Sequence, residues 1–325
     1  MDQLVSRLLL YGDLGEEAIL SKLAALFQAW KGSSMPRQTL VRGIYHQVKG
    51  LLDLATEYGF DENLWQNYLT FLLMTNENSF SLITERVGAQ DGSVNHFARN
   101  DFRVFRALFH YDFSAVEGDL NLDCFTTLSH YKAIAKHGRR YNQNVSEKVR
   151  DLSRRLAAAP DDETFFRLVT EHYRQYGVGM LGLNKAFRIQ SGPEGIGFIP
   201  IYNTDKVMLR DLVGYESQKA QLRHNTEAFL AGRSANNALL YGDAGTGKSS
   251  SVKAIANEFA PEGLRLVEVK KNQLYQIPDL MDKLAANPLK FILFIDDLSF
   301  TANDDNFAAL KAILEGSVGG RARNI

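Results

Sequence analysis

Gly242-Asp243-Ala244-Gly245-Thr246-Gly247-Lys248-Ser249 is the stretch that decides the fold of this 325-residue chain. It matches the phosphate-binding pattern G-x-x-x-x-G-K-[ST], also called the Walker A motif or P-loop. Glycine adopts φ > 0 without steric cost, so the backbone can turn tightly and bring its N–H groups against phosphate oxygens. The sequence therefore predicts a loop that cradles a triphosphate.

The residue types of this loop predict a role for each part of the site. Lys248 is expected to neutralise the β- and γ-phosphates and so to take part in catalysis, and Ser249 offers a hydroxyl to Mg²⁺. The helix that follows begins with free N–H groups, which favour an anion. The predicted nucleotide contacts are Gly242, Asp243, Ala244, Gly245, Thr246, Gly247, Lys248, Ser249 and Ser250.

The flanking sequence has the order that the motif requires. Asn236-Asn237-Ala238-Leu239-Leu240-Tyr241 predicts a short buried strand before the loop. Val252, Ile255, Ala256 and Phe259 recur at i, i+3, i+4 and i+7 and predict a helix after it. The alternative, a glycine-rich turn without a ligand, explains the loop but not this order.

Composition limits the class of protein. The length favours two domains, and 37 basic against 38 acidic residues leave no overall charge that would attract nucleic acid or an anionic membrane. Cys124 is the single cysteine, which excludes an intramolecular disulfide and favours a reducing, cytoplasmic location. With no apolar run of about 18 residues, we expect no membrane span.

Residues 1–200 are predicted to form an all-α N-terminal domain of unknown role. Apolar residues recur at helical spacing, and Phe102, Phe105 and Phe109 form an aromatic stripe. Such a stripe is more typical of a helix–helix seam than of a cofactor site. The seven histidines show no metal-ligand spacing.

A basic run between residues 132 and 155 allows two interpretations. It holds eight cationic residues against two acidic ones: Lys132, Lys136, Arg139, Arg140, Lys148, Arg150, Arg154 and Arg155 against Glu147 and Asp151. Such a run can bind nucleic acid or an acidic partner. It can equally be a solvated or intramolecularly paired face, which we favour because only Tyr131 and Tyr141 lie near it for stacking.

Residues 201–325 are predicted to form a second domain of α/β type. Glycines and prolines concentrate between residues 177 and 200, which marks a boundary at about 195–205. The apolar stretch 196–202 is either an edge strand or a linker. Beyond it helices alternate with strands at 264–269 and 291–295, which predicts βαβ units and a parallel sheet.

Two carboxylates follow the last of these strands. Because a buried strand delivers its carboxyl end beside the phosphate loop, we expect Asp296 to hold Mg²⁺ together with Ser249. Asp297 is the candidate base that orients the water attacking the γ-phosphate. The alternative, two acidic residues that merely begin a loop, loses weight once the phosphate loop lies upstream.

The chain from about Leu209 onward resembles the ATPase core of the AAA+ superfamily. The resemblance rests on Leu209-Arg210-Asp211-Leu212-Val213-Gly214-Tyr215-Glu216, on the phosphate loop and on Phe294-Ile295-Asp296-Asp297, the Walker B position. The sequence around these motifs is similar to a bacterial group of predicted AAA+ ATPases classified only as a domain of unknown function. This resemblance implies that Val213 and Gly214 line an adenine pocket.

Two departures from the AAA+ pattern matter. The family usually has Asp-Glu where this chain has Asp296-Asp297, and the shorter Asp297 makes hydrolysis less assured than binding. The family sheet has strand order 5-1-4-3-2, and the chain ends where strand 4 is expected. We therefore expect a fragment of a longer protein, without the sensors, arginine finger and helical lid, and with two central strands lacking their shared neighbour.

The leading functional hypothesis is an AAA+ ATPase whose cofactors are ATP and Mg²⁺. Nucleotide binding and hydrolysis would drive homo-oligomerisation of the full-length protein, or remodel a protein partner held by the helical domain. A second hypothesis is a nucleotide-gated binding module, similar to a helicase loader, with little turnover. A third is a P-loop phosphotransferase, which is weaker because no acceptor-site base or lid motif is visible.

Overall fold

The computed structural model describes residues 1–134, 142–192, 195–202, 206–298 and 322–325. The chain divides into two compact units. The first consists of residues 1–174 and 178–183, and the second of residues 175–177 and 184–325. The second unit thus begins some seventeen residues before the boundary expected at 201, because the segment after Asn184 enters its sheet.

The first unit is helical in its described part, as the spacing of apolar residues predicts. Its elements are α1 (Asp2–Val5), α2 (Ile19–Lys31), α3 (Arg37–Tyr58), α4 (Leu64–Thr75), α5 (Ser79–Val87), α6 (Val94–Phe109), α7 (Ser114–Leu120), α8 (Cys124–Ser129), α9 (Gln143–Ala157), α10 (Asp162–Tyr176) and α11 (Gly179–Leu183). The last two residues of α10 belong to the second unit. No helix of the described residues is long and apolar enough to cross a bilayer.

The aromatic stripe of α6 lies in the core of this unit. Phe102, Phe105 and Phe109 are at most 3% exposed, and Phe105 meets the ring of Tyr11 edge to face. Edge-to-face packing of this kind adds to the free energy of burial. Asp101, on the same helix, is fully buried and accepts hydrogen bonds from three successive backbone N–H groups, those of residues 9, 10 and 11. The stripe is therefore a helix–helix seam, as predicted.

Most described cations of the basic run are paired within the first unit. Lys148 donates to the carbonyls of residues 182 and 183, and Arg150 forms an ion pair with Glu62. Arg155 lies within ion-pair distance of Asp151 and Glu171. These contacts favour the intramolecular interpretation. Lys132 is described and exposed, whereas Lys136, Arg139, Arg140 and Tyr141 lie outside the described residues.

The second unit is built on a four-stranded sheet. Its strands are β1 (Ala186–Gly192), β2 (Gly195–Pro200), β3 (Leu264–Val269) and β4 (Lys290–Ile295), in the order β2-β1-β3-β4. β1 and β3 are parallel, β3 and β4 are parallel, and β2 is antiparallel to β1. The sheet is therefore mixed, with a parallel centre as predicted and an antiparallel edge strand where the sequence left an edge strand or a linker open.

Three helices connect and flank these strands. They are α12 (Glu216–Leu230), α13 (Lys248–Phe259) and α14 (Ile277–Ala285), with short 3₁₀ segments at Leu209–Asp211, Ala260–Glu262 and Lys271–Gln276. Val252 and Ala256 of α13 pack on Leu266 of β3, while Ile255 and Phe259 enter a second cluster. The amphipathic spacing that predicted α13 thus corresponds to its buried face.

The prediction of a strand at residues 236–241 is wrong, because this segment is not part of a β-strand. Leu239 is 78% exposed and Tyr241 is 88% exposed, whereas Leu240 packs against the cluster that includes Leu266 and Phe294. The side chains of this segment thus alternate as in a strand, yet its backbone pairs with none of the described strands. A strand is stabilised by neighbours, and within the described residues β4 pairs with β3 along one edge alone.

The other edge of β4 receives the last described residues of the chain. The N–H of Phe291 donates to the carbonyl of Asn324 at 2.8 Å. The side-chain amide of Asn324 in turn donates to the carbonyls of Leu284, Asn287 and Leu289. These bonds satisfy carbonyls at the end of α14 and place residue 324 beside the start of β4.

Arg265 attaches the segment 175–177 to the second unit. Its side chain is fully buried on β3 and donates to the backbone carbonyls of Ala260, Leu264 and Tyr176. Burial lowers the pKa of this guanidinium to about 10. The carbonyl of Tyr176 thus finds its donor within the sheet unit, although the helix that carries it is mainly part of the first unit.

Candidate nucleotide-binding site

The phosphate loop has the backbone conformation that its glycines predict. Gly242, Gly245 and Gly247 adopt φ values of 139°, 79° and 82°. A side chain on these residues would strain the backbone, although the space around Gly245 and Gly247 is open, with no atom within 4 Å of an added Cβ. The loop therefore turns tightly and leaves its concave backbone accessible.

Helix α13 begins directly at the end of the loop. Gly247 is its N-cap residue, and the N–H of Ser251 donates to the Gly247 carbonyl at 2.8 Å. The preceding N–H groups, those of Lys248, Ser249 and Ser250, come before the first intrahelical bond and remain available to a ligand. The N-terminus of α13 therefore has the free N–H groups that an anion requires, and its binding of phosphate stays a prediction.

Lys248 folds back over the loop that precedes it. Its Nζ donates to the carbonyl of Gly242 at 2.9 Å and to that of Asp243 at 2.6 Å. Its third donor meets Oγ1 of Thr246 at 3.4 Å, the longest of the three contacts of this ammonium. Thr246 braces the same turn, because its Oγ1 donates to the Asp243 carbonyl at 2.9 Å. These contacts hold the charged group at the mouth of the loop.

The structure brings Ser249 and Asp296 together from distant parts of the chain. The hydroxyl of Ser249 donates to Oδ1 of Asp296 at 2.9 Å, across 47 residues of sequence. Ser249 lies in the first turn of α13, and Asp296 directly follows β4. The same Oδ1 accepts the N–H of Asp297 at 3.1 Å, which orients the carboxylate. The two predicted metal ligands are therefore neighbours.

Asp297 and the predicted adenine-pocket residues lie on the surface. Asp297 is exposed and holds a left-handed backbone with φ of 52°, which is uncommon for a residue other than glycine. Val213 is 96% exposed, and Gly214 has φ of 80°. The roles of these three residues stay predictions. Ser299 and Phe300, which follow Asp297 in the sequence, lie outside the described residues.

Sequence reasoning missed the contact that ties down the chain ahead of the loop. Asn225 of α12 donates through Nδ2 to the carbonyl of Asn236 at 2.8 Å and accepts the N–H of Asn236 at 2.9 Å. This pair of bonds fixes the start of a segment that no strand holds. A lone asparagine on a polar helix face carries no signal of such a role, because its partner is backbone.

The residues present fit a magnesium–nucleotide group. A hydroxyl and a carboxylate are the oxygen ligands that Mg²⁺ prefers, and one or two protein ligands suffice when phosphates supply others. Within the described ranges no three His, Cys, Asp or Glu side chains cluster as a metal cage. Ser249 and Asp296 thus supply two oxygen ligands, as expected of a Mg²⁺ site whose other ligands come from phosphates and water.

Comparison with known proteins points to the same part of the chain. Residues 183–325 match a family described as "Protein of unknown function (DUF815)". Over 135 residues the chain is 35% identical to the replication factor C large subunit of Staphylothermus marinus. The matched region covers 38% of this chain and 30% of that protein. The chain thus spans about a third of this relative's length. No solved structure matches it.

These two matches confirm the resemblance predicted from the sequence. The C-terminal part of the chain is similar to a family classified only as a domain of unknown function and has an AAA+ ATPase-like relationship. The family match begins at residue 183, next to the start of the second unit at Asn184.

Proposed function

We propose that this protein is a cytoplasmic ATPase of AAA+ type that binds ATP and Mg²⁺ in its second unit. The observation that carries the proposal is the 2.9 Å contact between the Ser249 hydroxyl and Asp296. It joins the end of the phosphate loop to the carboxylate after β4, as a magnesium site shared between Walker A and Walker B positions requires. AAA+ similarity supports the choice of nucleotide.

The residues of the chain would divide the work as follows. The free N–H groups at the start of α13 would bind phosphate oxygens, and the ammonium of Lys248 would neutralise their charge. Ser249 and Asp296 would hold Mg²⁺, which when bound supplies electrostatic stabilisation of the charge that develops on the phosphates. Asp297 would accept the proton of the attacking water.

Replacement of Lys248 tests nucleotide binding. Lys248→Ala removes a charge-assisted hydrogen bond, so we expect the affinity for Mg·ATP to fall by roughly tenfold to hundredfold. Isothermal titration calorimetry measures it. Lys270→Ala removes an exposed lysine from the same unit and is the matched control, which should bind as the wild type does. Equal affinity of the Lys248→Ala and wild-type proteins would disprove the assignment.

A second function, a nucleotide-gated switch with little turnover, is favoured by one observation. The residue at the base position is an aspartate, which is one methylene shorter than the usual glutamate, and it is exposed on a left-handed backbone. Phosphate release separates the two functions. An ATPase loses its release rate in Asp297→Asn while ATP still binds, whereas a switch binds ATP and shows no release above buffer in either protein. Asp297→Glu tests whether the short side chain limits the rate.

The consequence of nucleotide binding is also part of the proposal. We expect ATP to promote homo-oligomerisation of the full-length protein or to remodel a protein partner bound by the helical unit. Light scattering after size exclusion, with and without Mg·ATP, measures the first of these. If the measured mass is the same with and without Mg·ATP, nucleotide-driven oligomerisation is wrong and remodelling of a protein partner is the hypothesis that remains.

A further inference from the structure

The segment from α2 to the middle of α3 is a basic part of the helical unit that the proposed function does not use. Between Glu17 and Asp53 the sequence contains no acidic residue, although the chain as a whole is nearly neutral. The same stretch contains five cationic residues: Lys22, Lys31, Arg37, Arg42 and Lys49. A local charge of this kind attracts an anionic ligand.

The structure separates these five cations into two groups. Lys22, Lys31 and Lys49 form ion pairs with Glu17, Asp2 and Asp53. In the part of the chain that the structure describes, Arg37 and Arg42 form no ion pair, and both are exposed. Arginine presents a planar fork of donors that matches phosphate oxygens in pairs. The two arginines are thus the cations available to a ligand.

Arg37, Arg42 and the partly exposed ring of Tyr45 lie on one face of α3. Together with Gln38 and Val41 they line a shallow, open depression on the surface of this helix. Tyr45 is 48% exposed. The two arginines are five residues apart, or about 7.5 Å along the helix axis at a rise of about 1.5 Å per residue. The face therefore presents two exposed cations and, about one turn beyond Arg42, an exposed aromatic ring along the same helix.

This combination favours one class of ligand. Single-stranded nucleic acid is bound by cationic side chains that follow the phosphates and by aromatic rings on which bases stack. An acidic peptide would satisfy the arginines but would offer no base to the Tyr45 ring. The net charge of the whole chain conceals the patch, because acidic residues elsewhere balance it.

We propose that the Arg37–Tyr45 face of α3 binds single-stranded nucleic acid, with Arg37 and Arg42 on phosphates and Tyr45 stacked on a base. This site is separate in sequence from the run at 132–155, in which Lys148, Arg150 and Arg155 are paired within the protein. It also differs from the phosphate loop, since it takes a polymer and needs no Mg²⁺.

Fluorescence anisotropy of the full chain with labelled oligothymidylate and oligouridylate, without nucleotide, tests the proposal. The wild type should bind, and its affinity should fall as salt rises from about 50 to 200 mM. Arg37→Gln with Arg42→Gln should weaken binding at least about tenfold and reduce the slope against log salt by about 1.4. The two oligonucleotides show whether DNA or RNA is preferred.

Three controls make the test specific. Arg103→Gln with Arg167→Gln removes two exposed arginines of the same unit that are already in ion pairs, so it should bind as the wild type does. Tyr45→Ser should weaken binding roughly tenfold or more while Tyr45→Phe retains it, because stacking needs the ring and not the hydroxyl. Lys248→Ala should bind the oligonucleotides normally.

Five results would overturn the proposal. Four of them are no oligonucleotide binding by the wild type, equal losses in the two arginine double variants, no effect of Tyr45→Ser, and loss of binding in Lys248→Ala. Competition by polyglutamate at the same charge concentration as the oligonucleotide would also overturn it, since it would show a surface for acidic polypeptides. Thermal unfolding of each variant shows whether it remains folded.

Discussion

Removal of the Asn225 side chain is the perturbation that connects the fold of the second unit most directly to its site. The amide of Asn225 donates to and accepts from the backbone of Asn236 at 2.8 and 2.9 Å. The segment that starts there runs into the phosphate loop at Gly242 and forms no strand. Among the described residues, these two bonds and the packing of Leu240 hold the segment 236–241 in place.

The size of the effect follows from the two bonds. A hydrogen bond contributes about 0.5–1.5 kcal/mol net, and partial exposure places these toward the lower end. Asn225→Ala should therefore lower the free energy of local opening of residues 236–241 by about 1–2 kcal/mol, which is roughly a 5- to 30-fold increase in the open population. Asn225→Asp keeps the acceptor oxygen and loses the donor, so its effect should be intermediate.

Hydrogen exchange of the Asn236 N–H, resolved by NMR, is the assay, because this N–H donates to Asn225. Gln221→Ala removes an exposed amide one turn earlier on the same helix and serves as the matched control. The affinity for Mg·ATP should fall only as far as the open state becomes populated, because a ligand binds the competent fraction. Equal exchange rates in the Asn225→Ala and Gln221→Ala proteins would refute the reasoning.

Three further predictions concern the helical unit, and urea unfolding measures each of them. Asp101→Asn should cost about 3 kcal/mol, since three backbone N–H groups lose a charged acceptor; a cost below about 1 kcal/mol would contradict this. Phe105→Ala should cost about 3–5 kcal/mol, against under about 1 kcal/mol for Phe97→Ala, whose ring is 44% exposed. Burial, then the charges of Lys148 and Arg155, lowers the pKa of His172 to about 3. Between pH 6.5 and 3 this residue is protonated in the unfolded chain and neutral in the folded one. As the pH falls through this range, the free energy of unfolding should therefore decrease by about 1.4 kcal/mol per pH unit, a slope that His172→Gln should remove.

Local patterns in the sequence by themselves determined much of this protein. Apolar spacing predicts the helix after the phosphate loop, observed as α13, and the aromatic stripe of α6, because a helix satisfies its backbone within one segment. The glycines of the phosphate loop predict left-handed turns for the same local reason. The order of the motifs also predicts that Ser249 and Asp296 lie close together at one edge of a sheet. The hydrogen bond between them agrees with this prediction.

The tertiary structure alone decided which segments pair. Residues 236–241 have a strand-like sequence and form no strand, whereas Ala186–Gly192 and Gly195–Pro200, not predicted as a hairpin, extend the sheet next to β3. A strand exists through its neighbours, and no pattern within one segment names them. Charge behaves in the same way. The sequence predicts basic stretches, but contacts with distant carboxylates decided that Arg150 is paired while Arg37 and Arg42 remain outward among the described residues.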